Sequence, residues 1–315
     1  MADRLVTIFG GGGFVGSTLV QHLAKTGVRV RVAVRHPNSA THVKPLGDVG
    51  QVQVVQANLR DEKSVRAAIQ GSDAVVNLVG ILQESGKQKF NKIQAIGAAI
   101  VAKYAAEAGV KKLVHMSALG ADADSDSHYA SSKAKGEEAV KHYFPTATIL
   151  RPSVIFGTDD QFFNRFAAMA STFPVMPVFF GETKFQPIYV GDVAEVIIRA
   201  LNDDALAGKT LELGGPKIYS MREILELTCT ETMNDIPLID VPAPAAWVMG
   251  FFLGMLPGAP VTLDQLRLLQ KDNVVSDGAE GLASLGMTGT PVEAVIPSYL
   301  VHWRPKGQFA DQIEG

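Results

Sequence analysis

The sequence predicts an α/β fold built on a doubly wound parallel sheet, with a smaller, mostly helical C-terminal region. Three observations carry that expectation. Short β-branched runs alternate with helix-patterned segments through the first half of the chain. Several runs, such as Ala-Val-Val-Asn-Leu-Val at 74–79, are almost continuously apolar, as strands are when helices cover both faces of their sheet. After Arg151 that rhythm stops. The 315 residues are 47% hydrophobic and 19% charged, enough for a full core, which excludes a disordered chain.

Strands are expected at Leu5–Phe9, Arg29–Val34, Val52–Gln56, Ala74–Val79, Lys112–Ser117 and Thr148–Ser153, with helices at Phe14–Lys25, Ser64–Gln70, Lys92–Ala108 and Tyr129–Tyr143. Beyond Arg151, a Phe- and Pro-rich loop (Phe162 to Phe185) precedes a helix from Gly191 to Asn202 and a strand at Thr210–Leu213. Further helices are expected at Met221–Met233 and Thr262–Lys271. Residues 1–157, rejoined by 185–215, read as one domain; 158–184 and 216–315 read as the smaller region.

Lys and Arg number 29 against 32 Asp and Glu, so the net charge of −3 offers no electrostatic footprint for nucleic acid. The one cysteine, Cys229, excludes an internal disulfide and a thiolate zinc site, and fits a reducing compartment. The N-terminus runs straight into an apolar stretch ending in glycines, unlike a secretory signal. The longest uncharged window, between Asp240 and Asp264, is cut by prolines and falls short of the ~20 residues of a spanning helix. A soluble or peripheral protein is expected.

Phe9-Gly10-Gly11-Gly12-Gly13-Phe14-Val15-Gly16 follows the first strand and opens the first helix. Gly10, Gly13 and Gly16 are spaced Gly-x-x-Gly-x-x-Gly: Gly10 permits a tight turn, Gly13 lets backbone N–H groups approach a pyrophosphate at the helix N-terminus, and Gly16 lets helix and strand pack closely, with Gly12, Phe14 and Val15 joining the cofactor-binding set. Strand before and helix after make this a dinucleotide turn, and the sheet Rossmann-like. An NAD site carries an acid about 20 residues further on; here the second strand ends Ala33-Val34-Arg35-His36, and the next acid is Asp48. Arg35, assisted by His36, suits a 2′-phosphate, so NADPH is favoured over NAD. Asn58, beside Leu59, either reaches an adenine edge or caps the helix that follows. Val79, Gly80 and Ser117, near the ends of neighbouring strands, join the cofactor-binding set.

Tyr129 and Lys133 lie one turn apart on a helix after the fifth strand. The ammonium can lower the phenol pKa, making Tyr129 a proton donor, and can hold the nicotinamide ribose. With the glycine turn, Ala-Gly-Val-Lys-Lys-Leu-Val at 108–114 and Leu-Arg-Pro-Ser-Val-Ile-Phe-Gly at 150–157, the chain resembles the extended or atypical short-chain dehydrogenase/reductases over residues 4 to about 200. That resemblance implies cofactor contacts from Pro152, Ser153 and Val154. It also marks two departures. Ala118 stands where the family has its catalytic hydroxyl, unless the register shifts by one to Ser117, and Gln94-Ala95-Ile96-Gly97 replaces an Asn-x-x-Gly pattern. No catalytic residue is firm; Tyr129 and Lys133 read as vestigial.

Four stretches narrow the likeness: Arg151–Gly157 running into Asp160–Ala167, Gln186–Ala194, Gly214–Glu223, and Leu263–Leu269 with Asp272-Asn273-Val274-Val275. Together they resemble the nucleotide-binding accessory subunits of respiratory complex I and their bacterial homologues. The resemblance implies a tightly held NADPH outside the electron path, and other complex I subunits as partners, around the quinone site and near the membrane. It places the chain on the cytoplasmic face of a bacterial inner membrane, or, as a trimmed mature form, on the matrix side in mitochondria. The Phe-rich stretch and the wholly apolar Ala245–Leu256 agree with docking, and Ala245–Leu256 offers a peripheral membrane contact; a substrate-domain core is the alternative. Asp159-Asp160 reads as a helix cap before Gln161–Met169. Histidines other than His36, His115 among them, show no metal-ligand spacing and read as packing or surface.

The expected function is therefore a non-catalytic NADPH-binding subunit. The alternative is a free NADPH-dependent reductase using Tyr129 and Lys133, and a nucleotide-sugar epimerase holding NAD is disfavoured by Arg35 and Ala118.

Overall fold

β1 (Leu5–Phe9), β2 (Arg29–Val34), β3 (Val52–Gln56), β4 (Ala74–Asn77), β5 (Lys112–Met116), β6 (Thr148–Pro152) and β7 (Thr210–Leu213) form one sheet in the order β3-β2-β1-β4-β5-β6-β7. Every pairing in it is parallel. This is the computed structural model of the chain, describing residues 4–253, 262–305 and 307. It divides into two compact units: Met1–Pro152 with Val190–Leu213 and Ala279–Gly281, and Ser153–Tyr189 with Gly214–Gly278 and Leu282–Gly315.

In the first unit, α1 (Phe14–Ala24) packs beside the helix Val190–Asn202, and α2 (Glu62–Ile69), α3 (Gly97–Glu107) and α4 (His128–Tyr143) pack together. Val65, Ile69, Ala98, Val101, Ala105 and Val140 from α2, α3 and α4 bury against Phe9, Val75 and Leu113 of the sheet. The first three strands match the expected ones residue for residue. β4 stops two residues early, because the Asn77 side chain accepts the Val79 N–H at 3.2 Å and turns the chain out of the sheet. The strand order reverses at β1, which lies between β2 and β4, so their carboxyl ends bracket the crevice in which such sheets bind ligands.

Two local features were not expected. A 3₁₀ segment, Pro37–Leu46, follows β2, and its Ala40 and Val43 are buried. The helix expected at Lys92–Ala108 opens with a π-helical turn, Asn91–Ile96, before α3.

The second unit holds helices at Phe163–Thr172, Met221–Glu231, Ala243–Leu253, Leu263–Leu268 and Val292–Leu300. Its core gathers Phe156, Phe163, Met176, Val178, Ile224, Ile296 and Leu300. The Phe-rich stretch is therefore not a loop: it forms the first of these helices and a short strand, Met176–Val178, paired with Leu238–Asp240. Phe163, Met176 and Val178 are buried at home, whereas Phe173 and Val175 are exposed. The helix Phe163–Thr172 begins later than expected, with Phe162 and not Asp159 or Asp160 at its N-cap; Asp160 still reaches in from two residues upstream, its Oδ1 accepting the N–H groups of Phe162 (2.9 Å) and Asn164 (3.1 Å) and its Oδ2 the Tyr299 hydroxyl at 2.6 Å. Val292–Leu300 escaped the sequence reading because Pro297 lies inside it.

On Ala243–Leu253, Ala246 and Gly250 are buried; a Cβ on Gly250 would stand 2.5 Å from Leu266 Cδ1. Val248 and Phe251 of the same helix are 57% and 49% exposed. Positions 254–256 of the predicted apolar segment, and all of the tail 306–315 but Gly307, lie outside the described residues. No helix among the described residues is long and apolar enough to cross a membrane.

Candidate functional site

The glycine turn is set by backbone geometry. Gly10 has φ +80° and donates its N–H to Ala33 O at 3.1 Å. A Cβ on Gly16 would stand 2.4 Å from Gly10 O and 2.6 Å from Gly11 Cα, atoms that cannot give way. One on Gly12 would meet Ala40 Cβ at 2.6 Å, so the 3₁₀ segment lies against the turn. Gly13 is exposed, and a Cβ there would find only Gly10 O, at 3.4 Å.

No side chain caps α1 and no acid lies in its first turn. The N–H groups of Phe14, Val15 and Gly16 thus have no acceptor within the helix, and the helix dipole favours an anion in front of them. The residues fit a pyrophosphate. Arg35 and His36 are exposed at the end of β2, and the Arg35 guanidinium has no hydrogen bond or ion pair among the described residues. It is available to a phosphate.

Asn58 does not cap α2. That part belongs to Asp61, which accepts the Lys63 N–H at 3.2 Å, while Asn58 Oδ1 accepts from Arg60 N and Nε at 3.1 and 3.4 Å. Leu59 is buried in the core, and its Cβ would lie 3.0 Å from a Cβ on Gly97. Gly10 approaches the backbone of Leu78 and Val79, each 3.4 Å from its would-be Cβ, and Gly80 similarly approaches Lys133 Nζ at 3.4 Å. The turn, Val79, Gly80 and Lys133 therefore adjoin.

Ser127 caps α4 by accepting the Ala130 N–H at 3.3 Å. One turn in, Lys133 is buried, donates from Nζ to Met116 O at 3.1 Å, and lies 5.8 Å from the centre of the Tyr129 ring. Phe90 meets that ring edge-on at 5.8 Å. Burial holds the Lys133 ammonium down to about 8, against the pull of Glu137. It pushes Tyr129 up to about 12. The expectation that the ammonium lowers the phenol pKa is thus reversed, because desolvation outweighs it.

The serine after β5 is committed elsewhere. Ser117 Oγ donates to Glu137 Oε1 at 2.5 Å, and Arg151 grips the same carboxylate through Nε (2.9 Å) and Nη2 (2.7 Å). Arg151 also reaches Glu212 at 3.5 Å. Gln94, 1% exposed in the π-helical turn, donates from Nε2 to Ile81 O and accepts from Ser132 Oγ, both at 3.1 Å. Gly136 lets α4 approach it, since a Cβ there would lie 2.3 Å from Gln94 O.

Pro152 ends β6, and its carbonyl accepts the Leu119 N–H at 2.9 Å. Ser153 and Val154 belong to the second unit, where Ser153 Oγ is shared between Asn273 O (3.0 Å) and Oδ1 (2.7 Å). Asn273 also accepts the Gln186 N–H at 3.1 Å, while Gln186 donates to Gly215 O at 2.8 Å and accepts from Val275 N at 3.0 Å. Four of the motifs singled out in the sequence are one hydrogen-bonded zipper.

Sequence reasoning missed the buried polar row beneath Lys133. Asn77 Nδ2 donates to His115 Nδ1 at 3.2 Å, His115 is 2% exposed, and its Nε2 has no partner. Burial, then the Lys133 charge, hold His115 at about 3, so the ring is neutral. The available signal was Asn77 inside an apolar strand. Among the described residues, no group of three or more His, Cys, Asp or Glu side chains is placed to hold a metal ion.

A family model described as NAD(P)H-binding matches residues 10–204. Among solved structures, Pal from Bacillus thuringiensis aligns over 95% of this chain and 98% of its own with TM-score 0.74 at 16% identity. UDP-glucose 4-epimerase from Thermotoga maritima aligns over 76% and 86% with TM-score 0.65 at 18% identity. These establish the fold. Ceramide reductase of Caulobacter vibrioides is 32% identical over 62% of this chain and 61% of its own. The mitochondrial NADH dehydrogenase (ubiquinone) 1 alpha subcomplex subunit 9 of Arabidopsis thaliana is 35% identical over 96% of this chain and 79% of its own. The Mus musculus protein of that name is 34% identical over 98% and 83%. A nucleotide-binding fold matched along nearly its whole length by these subunits identifies the family: the chain belongs to that of NADH dehydrogenase 1 alpha subcomplex subunit 9.

Proposed function

We propose that this chain is a non-catalytic, NADPH-binding accessory subunit of a respiratory NADH:quinone oxidoreductase. One observation carries the reading: an open nucleotide cradle adjoins Lys133, while the hydroxyl directly after β5, that of Ser117, is spent on Glu137 and Ala118 offers none. Loss of such an oxyanion partner costs ~10²–10³ in rate.

In this reading Gly10, Gly12, Gly13, Phe14, Val15 and Gly16 hold the pyrophosphate, and Arg35 with His36 holds the 2′-phosphate that distinguishes NADPH from NADH. Asn58 offers its amide to the adenine; Leu59, Val79 and Gly80 line the base and ribose through their backbone. Lys133, with Tyr129, holds the nicotinamide ribose, and Pro152, Ser153 and Val154 border the ring. Residues 1–157 and 185–215 bind the nucleotide, whereas 158–184 and 216–315 dock onto the complex near its quinone site. The exposed Val248 and Phe251 support membrane contact by their helix, which carries no charged residue. The chain then lies on the cytoplasmic face of a bacterial inner membrane, or on the matrix side in mitochondria. The nucleotide acts as a brace: at a hundred times its Kd a ligand adds ~2.7 kcal/mol to stability.

The second reading, a free NADPH-dependent reductase, draws on the Tyr129–Lys133 pair and on the likeness to ceramide reductase. Purification from mild detergent extracts of the native source separates them. The subunit reading expects the chain in a large membrane complex with iron–sulfur absorbance. A free monomer or dimer that consumes NADPH with small carbonyl compounds overturns it.

A further inference from the structure

The 3₁₀ segment after β2 was absent from the sequence reading, and it bears on nucleotide choice. Its inner side is anchored by Ala40 and Val43, 1% and 0% exposed, with Ala40 against Gly12 of the turn. At its start, His36 O accepts both the N–H (3.0 Å) and the hydroxyl (2.8 Å) of Ser39. On its outer side, His42 Nε2 and Ser17 Oγ, the latter in α1, share a hydrogen bond of 3.2 Å. Arg35 and His36 leave the end of β2 immediately before this fastened segment.

We infer that His42 is a positioning residue for nucleotide selection: by tying the 3₁₀ segment to α1 through Ser17, it fixes where Arg35 and His36 present their side chains to a 2′-phosphate. The inference rests on the NADPH reading above and deepens it. The physical reason is the length of the arginine side chain. A guanidinium at the end of a flexible stem recognises a phosphate well only if its backbone origin is fixed, because each unfixed degree of freedom must be frozen on binding. The Ser17–His42 bond is peripheral to the core, so its loss leaves Ala40 and Val43 in place and frees the segment's outer side.

The test is a double-mutant cycle on the full chain, with NADPH and NADH affinities measured by titration calorimetry. His42→Ala and Ser17→Ala should each weaken NADPH about three- to tenfold, the scale of one ordinary hydrogen bond, with NADH unchanged. Acting through one bond, the double variant should be no worse than either single. His42→Gln, which keeps a donor and acceptor at similar reach, should restore NADPH affinity. Equal loss of both nucleotides, no loss of either, or additive effects would overturn the inference. Arg35→Ala separates the two levels. If it leaves the NADPH-to-NADH ratio intact, the underlying reading fails and this inference with it. If it collapses the ratio while His42→Ala does not, only the present inference falls.

Discussion

Ser117 at the end of β5 and Glu137 in the middle of α4 share a 2.5 Å hydrogen bond, and the carboxylate that receives it is 3% exposed. The forked grip of Arg151 holds its charge. A carboxylate this buried is stable only while every lone pair is served, and the Ser117 hydroxyl serves one of them. The same side chain cannot also deliver its proton to a substrate oxygen. Strand and helix are thereby tied together by the residue whose neighbourhood usually performs the reaction.

Stability follows from that arrangement. Glu137→Gln removes the charge opposite Arg151 and should cost about 2 kcal/mol, since the charge-assisted fork is lost while the partly exposed guanidinium keeps its longer contact to Glu212 at 3.5 Å. Ser117→Ala removes one hydrogen bond from a carboxylate still held by Arg151, and should cost about 1 kcal/mol. Urea midpoints followed by far-ultraviolet circular dichroism measure both. A Ser117→Ala chain as stable as the wild type would mean that the hydroxyl is not committed to the fold.

The glycine turn separates binding from folding. At Gly16 a methyl group meets backbone at 2.4 Å, so Gly16→Ala should damage both the unit's stability and nucleotide retention. At Gly13 the backbone is extended (φ −91°, ψ −177°) and a methyl group finds only Gly10 O at 3.4 Å. Gly13→Ala should therefore leave the thermal midpoint of the nucleotide-free chain within a degree or two while weakening nucleotide binding about tenfold or more, because the methyl stands where a pyrophosphate must approach. Thermal scans with and without nucleotide show whether the two effects part in this way.

What was legible in the sequence is what depends on neighbours along the chain. β1, β2 and β3 were read to the residue because β-branched runs and the glycine turn fix them locally. The Tyr129–Lys133 spacing likewise needed only helical periodicity. The Pro37–Leu46 segment was not legible, because its anchors face Gly12 and Ser17 rather than each other, and its two prolines mark a loop. The Phe-rich stretch misled for the opposite reason: nothing local says that Phe163 and Met176 bury one another's surroundings through Ile224 and Ile296. The π-helical turn around Gln94 is a tertiary product too, set by the approach of α4 at Gly136.

His115 gives the fold an acid limit. Its ring is neutral when folded, held at about 3 by burial first and the Lys133 charge second, against 6.5 for an exposed histidine. A lowered folded pKa means that below pH 6.5 the unfolded chain takes up a proton that the folded chain refuses. Stability from this group is therefore complete above 6.5 and declines as the pH falls toward 3. Between pH 6.5 and 5 the loss should be about 1.6 kcal/mol, because the slope rises from half of 1.36 kcal/mol per pH unit at 6.5 to nearly all of it at 5. His115→Leu removes the titrating ring and the unpartnered Nε2 together, although Asn77 then loses its acceptor. Whatever the variant's stability at pH 7.5, its decline between pH 6.5 and 5 should be shallower than that of the wild type by that amount. Urea midpoints across this range decide it, and parallel curves would mean that His115 takes up protons in the folded chain as readily as in the unfolded one.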